Sequence, residues 1–317
     1  MLNSERKRIR PTTTRYIKLG PGGAWESASL DGGRIDWGNA IDLHELALAH
    51  DWEGARRHYL AAGITPSTAT GYVRELTDFY TLGSDCLWIT FARGHLWWCF
   101  AEPEVVFVGG DGERQGSRYR RTIAGWRNRD VTGRPLTIDG LSTRLTQLAA
   151  YRRTICNVGE NQYLLRRINA EDEPAVVAAR VARERLVTAT AELITQLHWA
   201  DFELLVDLLF ARSGWRRVSA LGGTMKDIDL LLEELVTGER ASVQVKSAAD
   251  QQLLDNCVAA FEASTQANRF FFVCHSPRGN LSLAPREARP VHLWTSETLA
   301  AAAVDQGLTN WLMERAG

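Results

Sequence analysis

The stretch from Met225 to Ser247 constrains the fold of this chain more than any other, because it has the pattern of two short strands joined by a turn. The turn falls at Thr237-Gly238-Glu239-Arg240, between two apolar runs. Alternate side chains of a strand share a face, so Gln244 and Lys246 point one way while the valines beside them point into a core. The stretch therefore predicts a β-hairpin that carries polar groups on one face.

Acidic residues open the first strand of this hairpin, where Asp227 and Asp229 flank Ile228. If the two strands pair, a carboxylate, the side-chain oxygen of Gln244 and the ammonium of Lys246 converge at one edge of a sheet. Such a trio can hold a divalent metal ion and orient a water molecule toward a phosphodiester.

Lysine usage favours a chemical role for this stretch. The chain has 37 Lys and Arg residues, but only four are lysines: Lys7, Lys18, Lys226 and Lys246. Two of the four lie in the hairpin stretch, and a compact ammonium that contacts a water and a phosphate oxygen is not interchangeable with a guanidinium. The alternative is a solvated edge strand, on which an exposed lysine prevents edge-to-edge aggregation.

Three motifs in this order, Gly214-Trp215, then Asp227-Ile228-Asp229-Leu230, then Gln244-Val245-Lys246, resemble the Mrr-type restriction endonucleases. These enzymes are a branch of the PD-(D/E)xK nuclease superfamily in which Gln replaces the usual acid before x-Lys. The segment Asp201–Val206 resembles the helix that opens the family's domain. The resemblance covers residues 198–317 and implies an α/β restriction-endonuclease-like domain, a mixed sheet flanked by helices.

The sequence departs from the family at the acidic motif. The family more often has Asp-Gly-Gly-hydrophobic-Asp before the strand, whereas Met225–Asp229 is more compact. We align Asp229, which precedes an apolar run, with the metal-binding acid of the family, and keep Asp227 as the alternative.

The resemblance also implies the chemistry of the site. Asp229, the Gln244 side-chain oxygen and the Val245 carbonyl are expected to hold Mg²⁺, with Mn²⁺ as a substitute. Lys246 is expected to position or deprotonate the attacking water, and Glu203 to contact the ligands or add a further one. Because Gln244 is neutral where the family usually has an acid, we expect one tightly held metal ion.

The first half of the chain is rich in β patterns. Cys86–Phe91, Leu96–Phe100 and Glu104–Val108 predict a hairpin followed by a third strand, and further strands are predicted at Tyr119–Ile123 and Gly125–Asn128. A helical pattern from residue 41 to 82 precedes them, and it is interpreted as an insert; a helix-turn-helix DNA reader over residues 51–80 is the alternative.

Aromatic segments of this half resemble the PUA-like barrels, including relatives that read modified bases. The residues behind the resemblance are Tyr16–Gly20, Trp25, Trp88–Phe91, Trp97-Trp98 and Gly125–Asn128. The resemblance implies an N-terminal α+β PUA-like β-barrel domain with a helical insert.

Tryptophan is the notable component of this half, since seven of the 11 Trp residues precede residue 130. Aromatic rings stack on a flipped base at about 1–3 kcal/mol per base. Neighbouring strand residues face opposite sides, so Trp97 and Trp98 cannot both fill one core. The alternative is that these rings form the core of a barrel. The candidate nucleic-acid-binding residues are Trp25, Trp97, Trp98, Trp126, Arg120, Arg121, Arg127 and Lys226.

Charge is unevenly distributed along a chain whose formal net charge is −1. Residues 111–170 hold 12 Arg against 5 Asp and Glu, and residues 201–262 hold 11 Asp and Glu against 6 Lys and Arg. A basic surface beside an acidic metal-binding domain suits a protein that grips a phosphate backbone in one place and cuts it in another. Charges scattered over solvated helices would give the same counts.

These patterns predict a recognition domain at residues 1–170, a helical connector at 171–197 and a nuclease domain at 198–317. The five cysteines show no zinc-ligand spacing, and neither a signal peptide nor a membrane-spanning run is evident, so we expect a reduced cytoplasmic protein that does not bind membranes. 

Taken together, the resemblances imply a modification-dependent, type IV-like restriction enzyme that defends a bacterium against phage. The expected partner is double-stranded DNA, including DNA with modified bases, and the expected assembly on DNA is a homodimer. A repair or recombination nuclease, a non-catalytic nucleic-acid-binding protein and a reader of RNA are the alternatives.

Overall fold

A computed structural model of the protein describes residues 8–38, 41–109, 115–218, 229–284 and 289–316. The chain divides into two compact units, Met1–Glu173 and Pro174–Gly317. None of the helices within the described ranges is both long enough and apolar enough to cross a membrane.

The N-terminal unit is built on a six-stranded mixed sheet with the strand order β2-β5-β4-β3-β1-β6. Only the β1–β3 pair is parallel; the other neighbours are antiparallel. Its elements are β1 (Thr13–Ile17), β2 (Arg34–Trp37), α1 (His44–Leu48), α2 (Trp52–Ala61), α3 (Pro66–Thr81), β3 (Cys86–Ala92), β4 (His95–Phe107), β5 (Arg118–Arg127), α4 (Thr143–Thr146), β6 (Ile155–Asn157) and α5 (Asn161–Ile168).

Hydrophobic cores lie on both faces of this sheet, and β3 is accordingly apolar at nearly every position. Trp88 faces a core that it shares with Tyr59 of α2 and Phe79 of α3. Leu87, its neighbour in the strand, faces a second core that includes Leu164 of α5. The predicted helical insert therefore packs on one face of the sheet through α1, α2 and α3.

The strands after β3 are fewer and longer than the sequence predicts. The runs predicted at 96–100 and 104–108 form the single strand β4, which stays paired with β5 across register shifts between Ala101 and Val105. The runs predicted at 119–123 and 125–128 likewise form β5. Ala124 (φ 61°) and Gly125 (φ 75°) break its pleat in the left-handed region without ending it. The prediction of separate strands is wrong at both places, because such an irregularity bends a strand without interrupting its pairing.

The sheet is open between its edge strands. β2 and β6 lie at opposite ends of the strand order, and no pairing joins them within the described ranges. The α+β character of the unit agrees with the sequence, whereas the PUA-like barrel stays a prediction.

The C-terminal unit contains a five-stranded mixed sheet with the order β11-β10-β9-β8-β7. β9, β10 and β11 are parallel, and β8 is antiparallel to β9 and to β7. Its elements are α6 (Pro174–Gln196), α7 (Trp199–Arg212), β7 (Trp215–Arg217), β8 (Leu230–Glu234), β9 (Arg240–Ala249), α8 (Gln251–Ala263), β10 (Arg269–Pro277), β11 (Val291–Trp294), α9 (Ser296–Asp305) and α10 (Thr309–Ala316).

Helices flank both faces of this sheet, as the sequence predicts for a restriction-endonuclease-like domain. Val243 and Val245 of β9 pack in one core with Phe202 of α7 and Leu299 of α9. Phe272 of β10 lies in the opposite core, which also contains residues of α8. The helix predicted as a connector, α6, adds Ile194 to the first of these cores and so packs within the C-terminal unit.

The hairpin predicted for the stretch from Met225 to Ser247 forms between β8 and β9. Leu230 lies opposite Val243 and Leu232 opposite Ala241. Its turn is fixed by Glu234, whose carboxylate accepts hydrogen bonds from the backbone and hydroxyl of Thr237, which lower its pKa, and by Gly238 in the left-handed region (φ 70°). A turn held in this way sets the register of the two strands, and the register decides which side chains face each other.

Candidate active site

Asp229 lies where β8 begins, directly opposite the central residues of β9. Its backbone N–H donates to the Val243 carbonyl at 3.1 Å, which extends the ladder between the two strands by one residue. Asp229 thus faces the same side of the sheet as Gln244. The alternation predicted from the sequence places both side chains at one site.

A single carboxylate oxygen of Asp229 gathers three donors. Oδ2 accepts from the Gln244 side-chain amide at 2.7 Å, from the Val245 backbone N–H at 2.6 Å and from the Lys246 ammonium at 3.4 Å. No described residue donates a hydrogen bond to Oδ1. The Gln244 amide, the Val245 backbone and the Lys246 ammonium thus all bind the same oxygen of Asp229.

Gln244 leaves one polar atom unpaired in this site. The residue is only 4% exposed, and its Oε1 has no hydrogen-bond partner among the described residues. A buried acceptor without a partner costs about 1–3 kcal/mol. The unpaired oxygen lies on the same amide whose nitrogen binds Asp229, so two acceptor oxygens from neighbouring strands are available at one place.

The ion pair between Lys246 and Asp229 is accessible to solvent. Its side chain is 34% exposed and that of Asp229 is 25% exposed. An ion pair this accessible contributes only about 0–1 kcal/mol to stability. An ammonium held beside a carboxylate and open to solvent can instead contact a bound anion.

Glu203 of α7 belongs to the same electrostatic environment. Burial raises the pKa of its carboxyl, and the negative charge of Asp229 raises it further, while the positive charges of Lys246 and Arg217 oppose the rise. Such a group is more easily protonated than an ordinary glutamate, and a cation placed near it would reverse the effect.

Oxygen donors of this site fit a hard divalent cation. Asp229, the unpaired Gln244 oxygen and the backbone of Val245 lie near the start of β8, and Mg²⁺ prefers carboxylate, amide and carbonyl oxygens. The described ranges contain no group of three or more His, Cys, Asp or Glu residues that could hold a metal. The set therefore has one formal negative charge from Asp229 unless Glu203 joins it.

Two predicted site residues, Asp227 and Lys226, lie outside the described residues. Arg217, which sequence reasoning did not select, acts electrostatically on Glu203 from β7. No motif marks Arg217 in the sequence, because its proximity to α7 depends on how the helix packs against the sheet.

The four candidate tryptophans of the N-terminal unit are held by the core of that unit. Trp97 packs against one core and Trp98 lies in the other, so the two face opposite sides as predicted. The indole N–H of Trp97 donates to Ala92, that of Trp98 to Arg129 and that of Trp126 to Arg34, in each case to the carbonyl oxygen. Trp25 is buried beside Trp126 in the first core.

The three candidate arginines differ in accessibility. Arg121 and Arg127 are exposed, and Arg127 lies over the ring of Trp98 at 5.3 Å. Arg120 is 0% exposed and donates to the carbonyls of Glu102, Phe79 and Ala101. This placement corrects the prediction that Arg120 contacts nucleic acid, because a guanidinium with no exposed surface cannot reach a phosphate.

The C-terminal unit is a mixed sheet between helices, and an acid, a glutamine and a lysine lie together on one of its hairpins. These features define a domain of the restriction-endonuclease-like class. Residues 194–303 match the family Mrr_cat, described as a restriction endonuclease. The C-terminal unit therefore contains an Mrr-type restriction endonuclease domain, as the sequence motifs predict.

Two further comparisons concern the whole chain. No curated protein matches it. Among solved structures, the DNA modification-dependent restriction endonuclease AspBHI is similar at 12% sequence identity and a TM-score of 0.25, over 72% of this chain and 68% of that one.

Proposed function

We propose that the protein is a Mg²⁺-dependent endonuclease that hydrolyses DNA phosphodiesters in its C-terminal unit. The observation that carries this proposal is the convergence of Gln244, Val245 and Lys246 on one oxygen of Asp229. Structural ion pairs of this exposure add little to stability, whereas a nuclease needs these three kinds of group together.

Each residue has a distinct role in this proposal. Asp229, the Gln244 oxygen and the Val245 carbonyl hold the metal ion, which when bound supplies Lewis-acid polarisation of a phosphoryl oxygen. Lys246 orients the attacking water and stabilises the negative charge that develops on the phosphate. Glu203 adds a contact to the site when its carboxyl is ionised.

The N-terminal unit selects the DNA in this proposal, and modified bases are what it reads. Arg121 and Arg127 on β5 are exposed and supply cations that contact the phosphate backbone in this proposal. The result is a modification-dependent restriction enzyme of the cytoplasm that acts against phage DNA. Cutting both strands requires two active sites, so we propose a homodimer on DNA.

Cleavage of supercoiled plasmid and of genomic DNAs with different base modifications tests the proposal. We expect nicked and linear products with Mg²⁺ or Mn²⁺ and none with EDTA. Lys246→Ala should lower the rate by about 10²-fold or more, the range typical of a lost acid–base group. Lys246→Arg should not restore it, because the guanidinium cannot replace the compact ammonium.

Arg216→Ala provides the matched control, since Arg216 is an exposed cation of the same sheet that pairs with Glu233. It should cut at the wild-type rate. Mg²⁺-dependent cutting that survives both Lys246→Ala and Asp229→Ala would refute the proposed active site. Equal cutting of modified and unmodified DNA, or a preference for branched DNA, would instead refute the proposed role of the N-terminal unit.

A further inference from the structure

A cavity of about 470 Å³ opens in the N-terminal unit between the end of β2 and the helices α2 and α3. Pockets of roughly 300–1,000 Å³ accommodate whole small-molecule ligands. The residues that line it include Trp37, Tyr59, Tyr72, Glu75 and Thr154. None of the tryptophans singled out from the sequence is in this set.

Trp37 presents a buried donor without a partner. It is 2% exposed, and its indole N–H makes no hydrogen bond with any described residue. The indoles of Trp97, Trp98 and Trp126 differ, because each donates to a backbone carbonyl. A buried N–H without an acceptor is unfavourable, so Trp37 is a strong donor for a ligand that brings one.

The ring of Trp37 is fixed in place. It stacks on Phe79 at 5.4 Å between ring centroids, and the guanidinium of Arg118 lies 5.3 Å from its centroid. Rotation of the indole to find a partner inside the protein would break both contacts. The unpaired donor therefore belongs to a fixed ring that lines the cavity.

Glu75 presents a buried acceptor to the same cavity. It is 2% exposed, and its Oε1 accepts from the Thr154 backbone N–H at 3.3 Å. Burial raises the pKa of this carboxyl, while hydrogen bonds from the backbone of Ile155 and Thr154 and the charges of Arg74 and Arg153 oppose the rise. A ligand N–H group would add a further stabilising hydrogen bond to the carboxylate.

Aromatic surface completes the cavity. The rings of Tyr59 and Tyr72 lie 5.4 Å apart at an angle of 55°, in contact with each other. Aromatic rings, an indole N–H and a carboxylate line one cavity, and a flat heterocycle that carries both an acceptor and a donor complements this set. The edges of nucleobases have this arrangement.

We propose that this cavity binds a nucleobase, with Trp37 donating to a ring nitrogen or carbonyl of the base and Glu75 accepting from its amino or imino group. The proposal rests on the proposed function of the N-terminal unit when the base is one rotated out of a DNA duplex; a free nucleotide would satisfy the same chemistry. The cavity is of a size that accommodates whole small ligands, so a single base leaves space for a substituent.

Binding measurements on the full chain carrying Lys246→Ala test this proposal without consuming the DNA. The probes are duplexes with one modified or unmodified base at a central position, and the corresponding free nucleosides. Trp37→Phe keeps an aromatic ring but removes the N–H, and Glu75→Gln keeps the size but removes the charge. Trp88→Phe is the matched control: its N–H is also buried and unpaired, but Trp88 is not among the residues that line the cavity.

We expect Trp37→Phe and Glu75→Gln each to lower the affinity for the preferred probe by about 10-fold to 100-fold, as for other lost base contacts. The affinity of Trp88→Phe should stay within about twofold of that of the chain carrying Lys246→Ala alone, because Trp88 does not line the cavity. A loss seen with duplexes places a flipped DNA base in the cavity, and a loss seen only with nucleosides places a free nucleotide there. Circular dichroism shows whether each variant is folded. If one of the two cavity variants does not fold, the binding measured with the other one tests the proposal.

Wild-type binding of every probe by folded Trp37→Phe and Glu75→Gln would overturn the proposal. Because Lys246→Ala is present throughout, this result does not depend on cleavage. If the chain with Lys246 intact cleaves DNA while the cavity variants bind every probe normally, the cavity proposal alone is rejected. If the cavity variants lose base binding but the chain with Lys246 intact does not cleave, the proposed nuclease alone is rejected.

Discussion

Nε2 of Gln244 lies 2.7 Å from Oδ2 of Asp229, so the amide donates to the carboxylate across the β8–β9 hairpin. An acid in place of Gln244 would put two carboxylates in contact, and their like charges would repel each other. The glutamine instead donates a hydrogen bond to the Asp229 carboxylate and leaves its own oxygen unpaired. Gln244 therefore supplies a hydrogen bond to Asp229 where a second acid before Val245 and Lys246 would supply a negative charge.

Replacing Asp229 separates its structural role from its chemical role. Asp229→Asn retains an oxygen that can accept from the Val245 N–H, whereas Asp229→Ala leaves this donor unpaired at a cost of about 1–3 kcal/mol. We expect both variants to lose Mg²⁺-dependent cleavage, and only the alanine variant to lower the melting temperature of the C-terminal unit. Glu233→Gln, in the same strand but paired with Arg216, serves as the control for activity. Full cleavage by Asp229→Asn would contradict the assignment.

Gln244→Glu should make the C-terminal unit depend on metal for its stability. Without metal the new carboxylate repels Asp229 and no longer donates to it, which costs about 1–3 kcal/mol. With Mg²⁺ the added charge strengthens binding, and binding to the folded state stabilises it. Thermal unfolding with EDTA and with Mg²⁺ should therefore differ more than in the wild type. Gln252→Glu makes the same change at an exposed position of α8, and its melting temperature should respond to Mg²⁺ as that of the wild type does. An equal response to Mg²⁺ in the two variants would argue against a metal ion at Gln244.

Glu203 should destabilise the metal-free protein as pH rises. Its folded pKa lies above the ordinary value of 4.5, so below that value both the folded and unfolded states are protonated and nothing is lost. Above it the unfolded state ionises first, and stability falls until the folded pKa is passed. Glu203→Gln removes this loss: it should match the wild type near pH 4 and be more stable at pH 7. Unfolding by denaturant at both pH values checks this, and an equal difference between the proteins at both would contradict it.

Arg120 and Arg121 are sequence neighbours with opposite expected effects. Arg120→Met leaves the carbonyls of Glu102, Phe79 and Ala101 without their donor, so we expect the N-terminal unit to lose at least about 2 kcal/mol. Arg121→Met alters an exposed side chain and should change stability by less than about 0.5 kcal/mol.

DNA binding should show the reverse order for the same pair. Arg121→Met should lower the slope of log affinity against log salt concentration by about one, as expected for the loss of one phosphate contact. Calorimetry and binding at several salt concentrations measure the two effects. An unchanged salt slope would exclude Arg121 from the DNA contact.

The sequence alone determined the hairpin and the three polar residues that meet on it. Strand periodicity assigns Gln244 and Lys246 to one face, and a short turn at Gly238 sets the register that brings Asp229 opposite them. These are local relationships, because every participant lies within about 20 residues along the chain. The apolar strands of the C-terminal half and the helices that flank them could also be predicted, because the hydrophobic pattern of each element is local.

Only the tertiary structure decided which aromatic and charged groups of the N-terminal unit remain available. Trp37 and Trp126 look alike in the sequence, yet Trp126 finds the Arg34 carbonyl and the N–H of Trp37 finds no acceptor among the described residues. Arg120 and Arg121 are likewise indistinguishable in the sequence, but in β5 their side chains lie on opposite faces of the sheet. Their partners come from strands and helices far apart in the chain, and such partners are fixed by packing between elements that no local pattern encodes.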